Sequence, residues 1–174
     1  PVFEGATRSS ANARIEFRPV PAQPTVRDAI AFQAAFAGLM SALPRREHPV
    51  IDLEWETARD NFYAAVARGV DAEMTWVDRA GTRTTDTDVL YEDLLDHAAA
   101  GLEAAGCTAT EASSWLAPLR HRAETRTTPA GWKRARVRSA LEDGDSFATA
   151  VHDAQRAYVR HQTETLIDGG FADW

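Results

Sequence analysis

Residues 13–40 read ARIEFRPVPAQPTVRDAIAFQAAFAGLM, and the reading of this stretch decides the architecture. Arg14, Glu16 and Arg18 occupy alternate positions, with Ile15 and Phe17 between them. Successive side chains of a strand point to opposite faces, so this spacing predicts a charged row, about 6.5 Å from one member to the next, and an apolar face turned to a core. A proline-broken turn follows, after which Thr25 caps a helix that carries Asp28 near its start. From Ala29 to Met40 only Gln33 is polar. A helix apolar all round calls for packing partners on every side.

Pro44 and the polar Arg45–His48 close that element. A second helix is predicted from about Glu56 to Arg68, with Ala58, Phe62, Ala65 and Val66 on one stripe and Gly69 at its boundary. AEMTWVDRAGTRTT reads as a short hairpin turning at Arg79–Gly81. A third helix starts at Asp86, with Leu90, Leu94, Ala98, Leu102 and Ala105 at helical spacing and Gly106 as its stop. Thr108 and Glu111 have capping-box spacing and open a helix with Trp115, Leu116 and Leu119 that Pro118 is expected to kink or end. Thr128–Pro129 opens a basic helix to about Leu141. Ser146 caps the last one, with Phe147, Val151, Ala154, Tyr158 and His161 on one face. The predicted class is mainly α with a short β element, namely the N-terminal strand and the small hairpin.

At 174 residues and 44% hydrophobic the chain has material for one domain over 1–174. It has no run of 18 apolar residues and no basic start followed by an apolar stretch, so the expectation is a soluble, cytoplasmic protein without a membrane partner. Cys107, the single cysteine, excludes an internal disulfide and reads as a small apolar side chain. The chain opens on Pro1 and enters directly on a strand-like pattern, which points to a C-terminal piece of a longer protein. A net charge of −7 argues against nucleic acid as the main partner. The basic residues concentrate from Pro118 to Arg138, where Arg120, Arg122, Arg126, Lys133, Arg134, Arg136 and Arg138 face Glu124 alone. Such a run is either a solvated helix face or a surface for ATP phosphates, RNA or an acidic partner.

The alternating row also has two readings. It is an ordinary exposed strand with weak ion pairs, or it is a platform on which the Glu16 carboxylate holds Mg²⁺ while Arg14 and Arg18 hold phosphate or a substrate carboxylate. The five histidines form no HExxH, and no P-loop, dinucleotide fingerprint or GxSxG elbow occurs. The five tryptophans are too dispersed in sequence for a stacking platform and read as core or interface residues.

ARIEFRPVPAQPTVRDAIAFQAAFAGL resembles the glutamate-cysteine ligase family of the carboxylate-amine ligase type, whose catalytic core is similar to that of glutamine synthetase. DNFYAAVARGVDAEMTWVDRAGTRTTDTDVLYEDLL resembles the family's Asn-containing helix, Gly turn and hairpin, carrying Asn61, Arg68, Gly69 and Asp71 onto motif positions. Ala67 stands where the family arginine is expected, and Arg68 follows it. TPAGWKRAR resembles a late family segment through Gly131, Lys133 and Arg134. The resemblance implies an α+β, glutamine-synthetase-like fold in the intact family member. It implies Glu16 as a ligand for Mg²⁺ or Mn²⁺, Arg14 and Arg18 as catalytic and substrate-binding groups, and Asn61, Arg68 and Arg134 at the ATP or substrate site. The implied substrates are ATP, glutamate and an amino acid such as cysteine, as in glutathione biosynthesis. The competing expectation is a non-catalytic helical interaction module that pairs into a homo-oligomer.

Overall fold

Local capping starts the later helices where the sequence places them. The computed structural model describes the backbone of residues 2–4, 12–18, 20–46 and 48–174, with side chains from 15 onward except 19 and 44–47. The Asp86 carboxylate accepts the Asp88 N–H at 2.9 Å and opens α3 (Thr87–Ala104). Thr108 and Glu111 exchange backbone hydrogen bonds at 3.2 and 2.8 Å and open α4 (Ala109–Thr125). The Thr128 hydroxyl accepts the Gly131 N–H at 3.1 Å at the head of α5 (Pro129–Glu142), and Ser146 accepts that of Thr149 at 3.2 Å at the head of α6 (Phe147–Thr165). Each such cap satisfies a backbone donor that the helix itself leaves unpaired.

Two further helices, α1 (Val26–Arg46) and α2 (Trp55–Arg68), precede these. β1 (Val2–Glu4) pairs antiparallel with β2 (Asn12–Arg14), Val2 opposite Arg14, and β3 (Trp76–Val77) with β4 (Arg83–Thr84) around the predicted turn. The described chain is therefore mainly helical with a short β component, as the pattern predicts. A core of α1, α3 and α4 encloses Ala34, Ala35, Ala98, Leu102, Ala112 and Leu116, with Cys107 packed against it as a small apolar side chain. α5 packs on α6.

Small residues set the distance between α1 and α3. A Cβ placed on Gly101 would stand 1.9 Å from the Gly38 carbonyl oxygen, and one placed on Gly38 would stand 2.1 Å from that of Ala98. The two backbones are in contact, and backbone atoms cannot rotate out of the way.

The carboxylate of Asp28, 1% exposed, gathers three segments far apart in sequence. One oxygen takes the Thr25 hydroxyl at 2.5 Å and the Phe171 N–H at 2.9 Å, and the other takes Arg122 Nη2 from α4 at 2.6 Å. The Val26 N–H adds a bond to the Leu166 carbonyl at 2.9 Å. The C-terminal 3₁₀ turn Phe171–Asp173 thus folds back on the start of α1. There Trp174 joins Trp132, Tyr158, His161 and Phe171 in an aromatic cluster, with centroids 4.9–5.5 Å from Trp174.

Several expectations need correction. Residues 15–18 are not strand, and Ile15 and Phe17 are 58% and 49% exposed, because the segment rests on the surface of α1, Phe17 against Phe36, rather than inside a core. α1 is buried on one face only: Ala31, Ala34, Ala35 and Gly38 point inward, while Val26, Ile30 and Met40 stay exposed. α1 also continues through Pro44 to Arg46. By length and composition its window Val26–Leu43, of mean hydropathy 1.2, is apolar enough to cross a membrane, and its packing on α3 and α4 accounts for part of that apolarity. Pro118 neither ends nor interrupts α4, since the buried neighbours Leu116 and Arg122 carry the helix past one missing backbone bond. On α6 the buried line is Ala150, Ala154 and Ala157, whereas Phe147 is 69% exposed.

Gly101→Ala should lower stability by about 2 kcal/mol or more, because the added methyl forces α1 and α3 apart. Thermal melting checks this, with Gly106→Ala, whose added Cβ meets open space at a left-handed φ, separating conformational strain from overpacking.

Candidate functional site

The extended segment after β2 carries the predicted charged pair. Arg18 Nε donates to Glu16 Oε2 at 2.7 Å, with a second bond from Nη2 to the same oxygen. Two residues apart, the pair shares one side of the chain, while Phe17 between them stacks on Phe36 of α1 with centroids 4.9 Å apart. That stacking anchors the segment to α1 and leaves the Arg18 side chain 83% exposed and that of Glu16 32% exposed. So exposed an ion pair contributes little stability, and an anion with better geometry can draw Arg18 away. Arg14 closes β2, and its side chain lies outside the described residues.

Asn61 and Arg68 lie seven residues apart on α2, and two helical turns put them on one face. The Asn61 amide donates to the Thr75 carbonyl at 2.7 Å and accepts the Thr75 N–H at 2.8 Å. It acts as a positioning residue that clips α2 to the approach of β3. Arg68 is exposed on the last turn of α2, where a cation suits the negative end of the helix dipole. Arg134 is exposed on α5. The structure thus joins Glu16 to Arg18 and aligns Asn61 with Arg68, and Arg134 stands on the α5–α6 pair.

The basic run does not form one surface. Arg120 bonds Asp96 at 2.9 Å, Arg122 is buried against Asp28, and Arg126 pairs with Asp88. On α5, Lys133 Nζ lies 3.6 Å from the Tyr158 ring centroid and Arg136 stacks over Trp132 at 5.0 Å. Arg134 and Arg138 remain exposed.

A buried polar cluster escaped the sequence reading. His48, Asp93 and His97 are each 5% exposed or less, and their ligand atoms lie within 4.8 Å of one another. That spacing would suit a metal ion, but the hydrogen bonds assign the protons otherwise. His48 Nδ1 accepts the Val50 N–H at 3.0 Å, so the ring carries its proton on Nε2, which donates to Asp93 Oδ2 at 2.9 Å. A cation on Nε2 would drive that proton to Nδ1, against the Val50 N–H. His97 Nδ1 is 2.8 Å from the Asp93 carbonyl oxygen and donates to it. Trp76 Nε1 and Arg79 Nε complete the shell around the Asp93 carboxylate at 2.9 and 3.2 Å. The cluster fastens α3 to the hairpin and to the 3₁₀ turn Pro49–Asp52.

Burial opposes ionisation of Asp93, but hydrogen bonds from Trp76 and His48 and the electrostatic pull of the His97 and His48 rings outweigh it and hold the carboxyl below its ordinary value of 3.8. A carboxylate lowered on folding contributes stability that is present above its unfolded pKa and is lost as pH falls through the folded one. Asp93→Asn should therefore destabilise the protein at neutral pH and flatten the acid limb of its stability profile. Urea unfolding between about pH 3 and pH 7 measures both, and an unchanged acid limb would remove Asp93 from this role.

No curated protein and no solved structure matches the chain. The model of glutamate-cysteine ligase family 2 matches residues 1–165, a span that includes the Glu16–Arg18 segment, the Asn61 clip and the α5 basic residues. The chain belongs to glutamate-cysteine ligase family 2.

Proposed function

We propose that this chain serves an ATP-dependent carboxylate–amine ligase of the glutamate–cysteine type, with Glu16 and Arg18 in its reaction site. The observation that carries the reading is an exposed carboxylate–guanidinium pair, held beside α1 by Phe17, inside the family match. In the proposed reaction a carboxylate oxygen of glutamate attacks the γ-phosphorus of ATP and ADP leaves. The amine nitrogen of the second amino acid then attacks the acyl carbon, phosphate leaves with the bonding pair, and the amine gives up a proton as the amide forms.

In the phosphoryl-transfer step the glutamate carboxylate and ATP are both anionic, so positioning and charge neutralisation do most of the work. Arg18 would take phosphate or carboxylate oxygens with its planar fork, and Arg14 and Arg68 would serve the same ends. Arg134 belongs to the proposed ATP or substrate contacts, and Asn61 contributes by holding α2 against the hairpin. The oxygen donor of Glu16 fits Mg²⁺ or Mn²⁺, ions that commonly take one or two protein carboxylates and complete their shell with phosphate and water. When bound, such an ion neutralises charge on the transferring phosphoryl oxygens.

The exposed side of α2, with Trp55, Phe62 and Val66 at 73%, 60% and 68%, supports the second reading of an interaction module. ADP release by the intact protein, with ATP, glutamate and a panel of amino acids, separates the two. The ligase reading expects amine-dependent turnover that Glu16→Gln and Arg18→Ala each lower by about 100-fold or more with melting temperature unchanged. Wild-type turnover and metal dependence in Glu16→Gln would remove Glu16 from the site.

A further inference from the structure

The His48–Asp93–His97 cluster contains one hydrogen bond that a change of charge would break. His48 stands directly before the 3₁₀ turn Pro49–Asp52 and caps it, Nδ1 accepting the Val50 N–H at 3.0 Å while Nε2 donates to Asp93 at 2.9 Å. A neutral imidazole has one donor and one acceptor, and His48 uses both. A second proton can enter only at Nδ1, where it meets the Val50 N–H, donor against donor. With His48 only 3% exposed, relief of that conflict requires the turn itself to move.

The charged and titratable groups facing this ring come from α3 and the hairpin. Asp93 draws a proton to His48, because the bond from Nε2 would then join two opposite charges. Its carboxyl is held below the ordinary range and so stays ionised while imidazoles titrate. Arg79 Nε, 3.2 Å from the same carboxylate, opposes the new charge, and Trp76 of β3, its ring centroid 5.6 Å from that of His48, adds none. His97 is the rival for the proton, with its ring centroid 4.4 Å away. Its Nδ1 donates to the Asp93 backbone carbonyl and lies 3.5 Å from the carboxylate, so a charge there strengthens no direct bond to that carboxylate.

The turn holds the start of α2. Within it the Ile51 N–H bonds to the His48 carbonyl and the Leu53 N–H to the Val50 carbonyl, both at 3.1 Å. Glu54 gives α2 no side-chain cap, and α2 has no fully buried residue. Its links to the hairpin, Asn61 to Thr75 and Thr57 to Arg83, begin beyond its first two residues.

We propose that His48 is a pH-operated latch: neutral, it caps the 3₁₀ turn and holds the start of α2, and protonated on Nδ1 it releases the Val50 N–H and lets the turn open. The open turn leaves Nδ1 free to take a proton and the closed turn does not, so falling pH favours the open form. The latch is separate from the Glu16–Arg18 pair and does not depend on the ligase reading.

Imidazole ¹⁵N–¹H correlation spectra and amide hydrogen exchange of the intact protein test it from about pH 8 to about pH 5, the range in which an imidazole ordinarily changes charge. His48 Nδ1 should be unprotonated at the upper end and gain its proton on acidification. In step with that titration, protection of the Val50 and Leu53 amides, corrected for intrinsic exchange, should fall at least about tenfold while core amides of α3 and α4 keep theirs. His48→Asn, whose short amide can cap the turn at any pH, should abolish the response, and His97→Gln should leave it in place. A His48 ring that stays neutral until global acid unfolding, a proton taken by His97 with Val50 still protected, Val50 protection that does not follow the His48 titration, or a response that is lost in His97→Gln would overturn the proposal.

Discussion

The buried carboxylate of Asp28 is the fastening on which the described architecture depends. It holds a helix start, a guanidinium from α4 and a backbone N–H near the C-terminus, bringing together residues 94 and 143 positions away in sequence. Arg122 is in turn flanked by the rings of Phe32 and Phe171, whose centroids lie 5.6 and 5.2 Å from its guanidinium carbon. Burying a charge is costly unless hydrogen bonds surround it, and Asp28 meets that condition through three donors, the Thr25 hydroxyl, Arg122 Nη2 and the Phe171 N–H. Removing either partner would strand a charge inside the core.

From that fastening the rest follows in order. With its start held, α1 meets α3 at the glycine contact, and α4 closes over both. Phe36 on α1 offers a ring to Phe17, which sets the Glu16–Arg18 segment beside the helix. α3 carries Asp93 and His97 against the hairpin, and Asn61 ties α2 to the same hairpin. The charged pair proposed for chemistry is thus exposed and lightly held, whereas the charged groups that build the scaffold are buried and surrounded by hydrogen bonds.

What was legible in the sequence was local. Caps at Asp86, Thr108, Thr128 and Ser146 act over two or three residues, and the alternation of Glu16 and Arg18 correctly puts them on one side. Alternation cannot say what covers the opposite side, which is why Ile15 and Phe17 were expected in a core and are instead half exposed. The same limit applies to α1, whose composition announces apolar contact without counting how many faces find a partner. His48, Asp93 and His97 were illegible because 45 residues separate the first from the second. Arg122 looked like part of a surface charge run because its partner Asp28 is brought in by tertiary folding alone, and Trp132 and Trp174 meet for the same reason.

The central claim is that Asp28 fastens the C-terminal turn to the core. Native-state hydrogen exchange at the Phe171 amide tests it directly, since this N–H is bonded to the Asp28 carboxylate and sits within four residues of Trp174. The account predicts protection comparable to that of core amides in α1 and α4, falling in Asp28→Asn. Exchange at the rate of an unstructured amide would contradict it.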